Sequence, residues 1–178
     1  MKEQLFNPQV IIPAFDQFLG HKGLNFTAIA IGGAALSVLG IVSRHTRDLD
    51  VLAPAIPEGV QNAAVEFAHR HALSEDWLNT GPSSLTRDLP AGWQERTQPL
   101  YAGKHLELST LSRLDLIRAK LWAMCDRMRD LEDLVALAPS DQEINLAAAW
   151  VIPLDGNPNW PDHVQVNVAL LHERLRRG

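Results

Sequence analysis

The chain has 178 residues, of which 46% are hydrophobic and 21% are charged, and its formal net charge is −5. This length and balance exclude a fibrous or disordered chain and favour one globular domain, with or without a helical extension. The acidic charge argues against long, non-specific binding along a nucleic-acid backbone, although a local basic pocket is compatible with it.

The sequence also bears on the cellular compartment. A single cysteine, Cys125, excludes an internal disulfide, and its apolar neighbours favour a small buried side chain. Residues 1–7 lack the apolar core of a secretion signal. The longest apolar stretch, residues 26–42, is interrupted by three glycines and falls short of the roughly 20 residues that a membrane helix needs. We therefore expect a cytoplasmic protein that does not enter the membrane.

Alternating strand and helix patterns occupy the first part of the chain. Apolar residues at near-helical spacing predict a helix over residues 8–23. The apolar run Phe26–Ile31 predicts a buried strand that ends at Gly32 and Gly33, and a helical segment over residues 34–41 follows. A second strand over residues 47–52 precedes a helix that starts at Pro57 and continues to about residue 71. This order predicts an α/β core.

The remainder is predicted to be irregular at first and then mainly helical. Residues 74–99 have the composition of loops, and residues 105–109 alternate as a half-buried strand does, with Glu107 on the polar face. Ser112 and Ser140 are predicted N-caps, and the predicted helices cover residues 113–127, 128–137, 140–151 and 161–177. The predicted fold class is α/β (α+β), with a small mixed sheet flanked by helices over residues 1–111 and a helical region, 112–178, packed on it.

The glycine pair Gly32-Gly33 is the first candidate for chemistry. A glycine turn between a strand and a helix lets the backbone approach a ligand closely, and exposed N–H groups there favour a phosphate. The alternative is a tight turn without a ligand. Neither the dinucleotide-binding pattern nor the Walker pattern is present around these glycines.

Two acids on the second predicted strand supply the complementary chemistry. Side chains alternate along a strand, so Thr46, Asp48 and Asp50 are predicted to share one face, while Leu49 and Val51 point into the core. Neighbouring carboxylates repel each other unless a positive charge lies between them, and a hard divalent cation with oxygen ligands is the simplest candidate. The alternative is a pair of solvated surface acids.

Taken together, these motifs resemble the nucleotidyltransferase superfamily over about residues 26–137. The motifs are Gly32-Gly33, Arg44-x-Thr46-x-Asp48-x-Asp50, a later strand acid, and Lys120 followed by Arg127-x-Arg129-Asp130-x-x-Asp133. The nearest branch is similar to the minimal bacterial AbiEii-type toxins of toxin–antitoxin systems. Many superfamily members have Gly-Ser where this chain has Gly32-Gly33, so a hydroxyl contact to phosphate is missing at that position.

The resemblance implies a role for each matching residue. The implied nucleotide-binding residues are Gly32, Gly33, Arg44, Thr46, Lys120 and Arg127, and the implied catalytic and Mg²⁺ or Mn²⁺ ligands are Asp48, Asp50 and Glu107. For Glu107 a solvated strand acid is the alternative. For Arg127 with Asp130, and for Arg129 with Asp133, ordinary helix ion pairs are the alternative.

The sequence therefore leads to a hypothesis of nucleotidyl transfer from an NTP to an acceptor hydroxyl. The acceptor is an RNA 3′ end, a protein hydroxyl or a small molecule, and a cognate antitoxin is a further expected partner. A basic wall of Arg113, Arg118, Lys120, Arg127 and Arg129 could contact RNA. The alternative function is a catalytically inactive nucleotide-binding or partner-binding module of the same fold.

Overall fold

The computed structural model describes residues 4–128 and 130–177. Its contacts divide the chain into two compact units, one ending at Leu111 and the other beginning at Ser112. The first unit contains the sheet, and the second is built from helices. Each described helix is too short or too polar to span a membrane.

A mixed sheet with the strand order β3-β2-β1-β5-β4 forms the first unit. The strands are β1 (Phe26–Ile31), β2 (Leu49–Ala53), β3 (Leu78–Asn79), β4 (Gln98–Ala102) and β5 (Leu106–Thr110). The central strand, β1, pairs with β2 in the antiparallel sense and with β5 in the parallel sense. The outer pairs are β2 with β3, which is parallel, and β4 with β5, which is antiparallel. The predicted α/β class with a small mixed sheet is confirmed.

The core of this unit lies between the sheet and the helices α1 (Pro8–His21) and α3 (Glu58–His71). Asn7 caps α1, because its side chain accepts a hydrogen bond from Gln9 N. Trp77 is completely buried and packs edge-on against Phe15, and its indole N–H donates to the Ala64 carbonyl. Aromatic packing therefore fixes the helices relative to the start of β3.

Several element boundaries in this unit differ from the sequence prediction. The short helix α2 (Gly32–Val38) begins at the glycine pair itself, and β2 begins at Leu49 rather than at residue 47. The predicted loop region 74–99 also contains β3, the start of β4 and two 3₁₀ helices, Gly81–Arg87 and Gln94–Arg96. β3 has only two residues, too few to show alternation, and Pro99 within β4 weakens the strand pattern there.

The second unit consists of α4 (Arg113–Arg127), α5 (Leu131–Leu137), α6 (Asp141–Val151) and α7 (Trp160–Arg177). Both predicted caps are confirmed: Ser112 accepts from the Asp115 N–H, and Ser140 forms a reciprocal capping box with Glu143. Helix α5 begins three residues later than predicted, at Leu131, because Met128 and Asp130 adopt left-handed backbone conformations. Cys125 is buried as predicted, and burial raises the pKa of its thiol to about 11.

Candidate active site

The turn that ends β1 lies directly beside an acid of β2. Ile31, the last residue of β1, is paired with Asp50 in the antiparallel register, so Gly32 follows at the level of this carboxylate. Gly32 has a φ of +81°, and a Cβ atom added to it would lie 2.5 Å from Oδ2 of Asp50. Glycine is therefore required here for two reasons: the left-handed backbone and the close approach of a carboxylate.

The second glycine of the turn is approached by two other polar side chains. A Cβ atom on Gly33 would lie 3.4 Å from Oγ1 of Thr46 and 3.5 Å from Nη2 of Arg44. The structure thus brings Gly32, Gly33, Arg44, Thr46 and Asp50 together at one edge of the sheet. A hydroxyl, a guanidinium and a carboxylate surround a backbone turn there, and the first two are groups that bind phosphate oxygens.

Asp48 lies just outside the strand in which it was predicted. It precedes β2, and its backbone carbonyl accepts a hydrogen bond from the Thr46 hydroxyl at 3.3 Å. Its carboxylate lies 3.3 Å from Nη2 of Arg47, whose side chain is 55% exposed. An exposed ion pair of this kind stabilises by at most about 1 kcal/mol, so it does not prevent Asp48 from binding another cation.

Glu107 is not brought to this edge of the sheet. It pairs with Thr27 on β1, whereas Asp50 pairs with Ile31. The four residue steps from Thr27 to Ile31 correspond to roughly 13 Å along the backbone at about 3.3 Å per residue. Two oxygens on one magnesium ion lie no more than about 4.2 Å apart, because each Mg–O distance is about 2.1 Å. In this arrangement Glu107 is an exposed strand acid and does not share a cation with Asp50.

The donor set at the turn offers fewer protein ligands than a metal site built from side chains alone. Within residues 4–128 and 130–177, no three His, Cys, Asp or Glu side chains are grouped closely enough to hold a metal ion by themselves. Magnesium, however, commonly takes only one or two carboxylates and completes its shell with water and substrate phosphate. Asp50, whose carboxylate lies at the Gly32 turn, fits that smaller requirement, and Asp48 is two residues before it in the chain.

In the second unit, Lys120 is held by two carboxylates. Its ammonium lies 2.7 Å from Oδ1 of Asp130 and 2.7 Å from Oδ2 of Asp133. The Lys120 side chain is 10% exposed and that of Asp133 only 1%. The left-handed backbone of Asp130, with φ of +72°, turns this acid back toward the lysine. Lys120 therefore neutralises buried acids within its own unit.

Lys120 and Arg127 are expected from the sequence to bind the same phosphates, but the two side chains lie in different environments. Lys120 is buried, whereas Arg127 is exposed at the last position of α4 and lies 3.8 Å from Asp126. Since α4 ends at Arg127, the helical spacing assumed for the Arg127–Asp130 pair is interrupted. Arg129, with its predicted ion pair to Asp133, lies outside the described residues.

Carboxylates neutralise most of the cations that are predicted to contact RNA. Arg113 bonds Glu143 and the Leu137 carbonyl, and Arg118 lies 2.7 Å from the buried Asp115. Lys120 is also paired, and Arg127 lies near Asp126, so each of the four predicted cations that the structure describes has a carboxylate partner in the same unit. These pairs weaken the case for extensive RNA binding by this surface.

One residue near the site was not identified from the sequence. Phe6, before α1, forms an isolated antiparallel bridge with Thr46. Nothing in the local pattern of either segment signals this pairing, because it joins residues forty positions apart, neither of which belongs to a regular strand.

The fold and the turn together define a class of protein. A mixed sheet whose central strand ends at a glycine turn, beside a strand that carries an aspartate, is similar to a nucleotidyltransferase core. Residues 11–145 match the model of a family described as nucleotidyltransferases of unknown function (DUF6036), and the chain belongs to this family. Comparison with curated proteins and with solved structures gave no significant match.

Proposed function

We propose that this protein transfers a nucleoside monophosphate from an NTP to an acceptor hydroxyl with the help of Mg²⁺ or Mn²⁺. The observation that carries the proposal is the position of the Asp50 carboxylate, 2.5 Å from where Gly32 would bear a Cβ atom. A carboxylate this close to a backbone turn provides a cation ligand and a phosphate-binding surface side by side.

Each residue at the turn has a distinct part in this proposal. Asp48 and Asp50 hold the divalent cation, which when bound neutralises charge on the phosphates and lowers the pKa of an oxygen it contacts. Arg44 and Thr46 bind phosphate oxygens of the NTP over Gly33. The acceptor oxygen attacks the α-phosphorus, the bond to the β-phosphate oxygen breaks, and pyrophosphate leaves, while the hydroxyl proton passes to a carboxylate or to water. Positioning and charge neutralisation thus supply most of the rate enhancement.

The experiment distinguishes nucleotidyl transfer from other phosphoryl chemistry by the position of the label. Purified protein is incubated with Mg²⁺ and each NTP, labelled at the α- or the γ-phosphate, together with total RNA, protein lysate or small metabolites. Nucleotidyl transfer leaves the α label on the acceptor and releases the γ label in pyrophosphate. Transfer of the γ label instead would contradict the proposal. The fraction that carries the α label identifies the acceptor as RNA, protein or small molecule.

The resemblance to AbiEii-type toxins extends the proposal to a toxin–antitoxin pair. Expression of the wild-type chain in a bacterial host lacking a cognate antitoxin is then expected to arrest growth, whereas Asp48→Asn is expected to be harmless at the same expression level. Equal growth of both strains would argue against a toxin while leaving transferase activity open.

A second candidate is a nucleotide-binding or partner-binding module of the same fold that does not turn over. Two observations favour it: Glu107 lies far along the sheet from Asp50, and Lys120 is paired with Asp130 and Asp133. NTP binding without α-label transfer to any of the three acceptor fractions would support this module over the enzyme.

A further inference from the structure

Thr46 reaches the glycine turn from a segment that is held by the residues preceding α1. The Phe6 N–H donates to the Thr46 carbonyl at 2.7 Å, and the Thr46 N–H donates to the Phe6 carbonyl at 2.9 Å. This reciprocal pair of hydrogen bonds fixes the backbone of Thr46 on both sides of its Cα atom.

Phe6 is in turn fixed by the core. Its side chain is 4% exposed, and its ring packs edge-on against Trp77 with 5.7 Å between the ring centroids. Trp77 is completely buried. The bridge therefore connects Thr46 to the buried aromatic core of the first unit, where side chains pack densely and keep defined rotamers.

The contacts from Trp77 through Phe6 lead to the hydroxyl oxygen of Thr46. Thr46 itself is 8% exposed, and its hydroxyl oxygen lies 3.4 Å from where a side chain on Gly33 would begin. Of the side-chain atoms around the Gly33 Cβ position, the Thr46 hydroxyl oxygen is the nearest, and Nη2 of Arg44 follows at 3.5 Å.

We propose that Phe6 is a positioning residue of the nucleotide site, acting through the hydroxyl of Thr46; this inference rests on the proposed function. Phe6 touches neither the nucleotide nor the cation. It fixes the backbone of Thr46, so that the hydroxyl, which donates to the Asp48 carbonyl at 3.3 Å, needs only to rotate to donate to the NTP phosphates. Preorganisation of this kind raises affinity because less conformational freedom is lost on binding.

The test is a double-mutant cycle on nucleotide affinity, with each of the four common NTPs titrated in the presence of Mg²⁺. Thr46→Val removes the hydroxyl but keeps the shape, and we expect it to weaken binding roughly tenfold, the usual effect of losing one hydrogen bond to a charged group. Phe6→Ala is expected to weaken binding several-fold in the wild-type background. In the Thr46→Val background it is expected to change the affinity less than twofold.

The matched control is Phe18→Ala, which truncates another buried aromatic side chain in the same core, where Phe18 packs on Phe67. It is expected to lower stability as Phe6→Ala does while leaving the NTP affinity within twofold of wild type. If Phe6→Ala does not fold, Phe6→Leu and Phe18→Leu replace the two alanine variants in the same cycle, with smaller effects of the same sign.

The outcomes separate this inference from the proposed function. If the wild-type protein binds no NTP, the proposed function fails and the positioning role fails with it. If the wild-type protein binds but Phe6→Ala weakens binding equally with and without Thr46→Val, or no more than Phe18→Ala does, only the positioning role is overturned.

Discussion

The carboxylate of Asp50 and the backbone of Gly32 are so close that a Cβ atom on this glycine would lie 2.5 Å from Oδ2 of Asp50. The pairing of Ile31 with Asp50 produces this contact, because the strand that carries the acid runs alongside the end of β1. The contact joins the two halves of the proposed site, a turn for phosphates and an acid for the cation.

Gly32→Ala is predicted to abolish transfer while only moderately reducing stability. The left-handed backbone costs an alanine about 1–2 kcal/mol, and the methyl group displaces the end of the Asp50 side chain, which can move. Gly40→Ala is the matched control, since Gly40 has a φ of +73° but no atom within 4 Å of its added Cβ. Thermal unfolding should show similar losses for both variants, and transfer should fail in Gly32→Ala alone. Equal transfer by the two variants would contradict a role for the Gly32–Asp50 contact.

Glu107→Gln is predicted to leave transfer within about twofold of wild type, because an exposed acid roughly 13 Å along the sheet from Asp50 does not share its cation. The measurement is the initial rate of α-label transfer at several Mg²⁺ concentrations. A large loss of rate that additional Mg²⁺ restores would instead identify Glu107 as a cation ligand. That result would contradict the β1–β5 register described above.

Lys120→Met is predicted to destabilise the second unit by about 3–5 kcal/mol, since it leaves buried Asp133 and its neighbour Asp130 without their shared ammonium. Arg127→Met, at an exposed position of the same helix, should change stability by less than about 0.5 kcal/mol. Urea unfolding measures both. Unchanged stability of Lys120→Met, with a loss of NTP affinity, would show that Lys120 binds phosphate rather than the two acids.

The turn between β4 and β5 is predicted to give the protein a stability that depends on pH. Asp16 is buried, and its carboxylate accepts from the backbone N–H groups of Leu106 at 2.6 Å, His105 at 2.7 Å and Lys104 at 3.3 Å. Burial alone would raise the pKa of Asp16, but these backbone donors outweigh it and hold the pKa below its ordinary value. The stabilisation is therefore complete above about pH 3.9, the ordinary pKa, and disappears as the pH falls through the lower folded value.

Asp16→Asn tests the pH-dependent stabilisation, because it keeps the shape of the side chain but replaces the two carboxylate oxygens by an amide with one acceptor oxygen. It should lower the free energy of unfolding by about 1–3 kcal/mol at pH 7, and the difference from wild type should shrink below about pH 4. Glu107→Gln, which alters an exposed acid of β5, serves as the control and should show little difference at either pH. A deficit of Asp16→Asn that is constant with pH would contradict the assignment.

The features that the sequence predicts well are those encoded locally. The strand before Gly32, the neighbouring strand with Asp50 and the caps at Ser112 and Ser140 depend on residues only a few positions apart. Pattern and turn chemistry predict them, and the structure confirms the elements. The proximity of Asp50 to the glycine turn follows once these two strands are neighbours.

The features that sequence reasoning did not resolve depend on register and on distant contacts. Alternation assigns Glu107 to the polar face of β5, but it does not predict which residue of β1 pairs with Glu107. The observed register pairs Glu107 with Thr27 and Asp50 with Ile31, and this separates the two acids. Spacing along α4 likewise gives no sign that Asp130, in a left-handed conformation, turns back to Lys120. The bridge between Phe6 and Thr46 has no local signature at all.

The central claim is that Asp50 at the glycine turn, together with Asp48, supports metal-dependent nucleotidyl transfer. Its most direct test is α-label transfer by wild-type protein and by Asp50→Asn. With Mg²⁺ and the correct NTP and acceptor, the wild type should transfer label, and Asp50→Asn should be slower by at least about 100-fold, because charge stabilisation by a bound cation is worth several kcal/mol. Transfer by Asp50→Asn at the wild-type rate would contradict the claim.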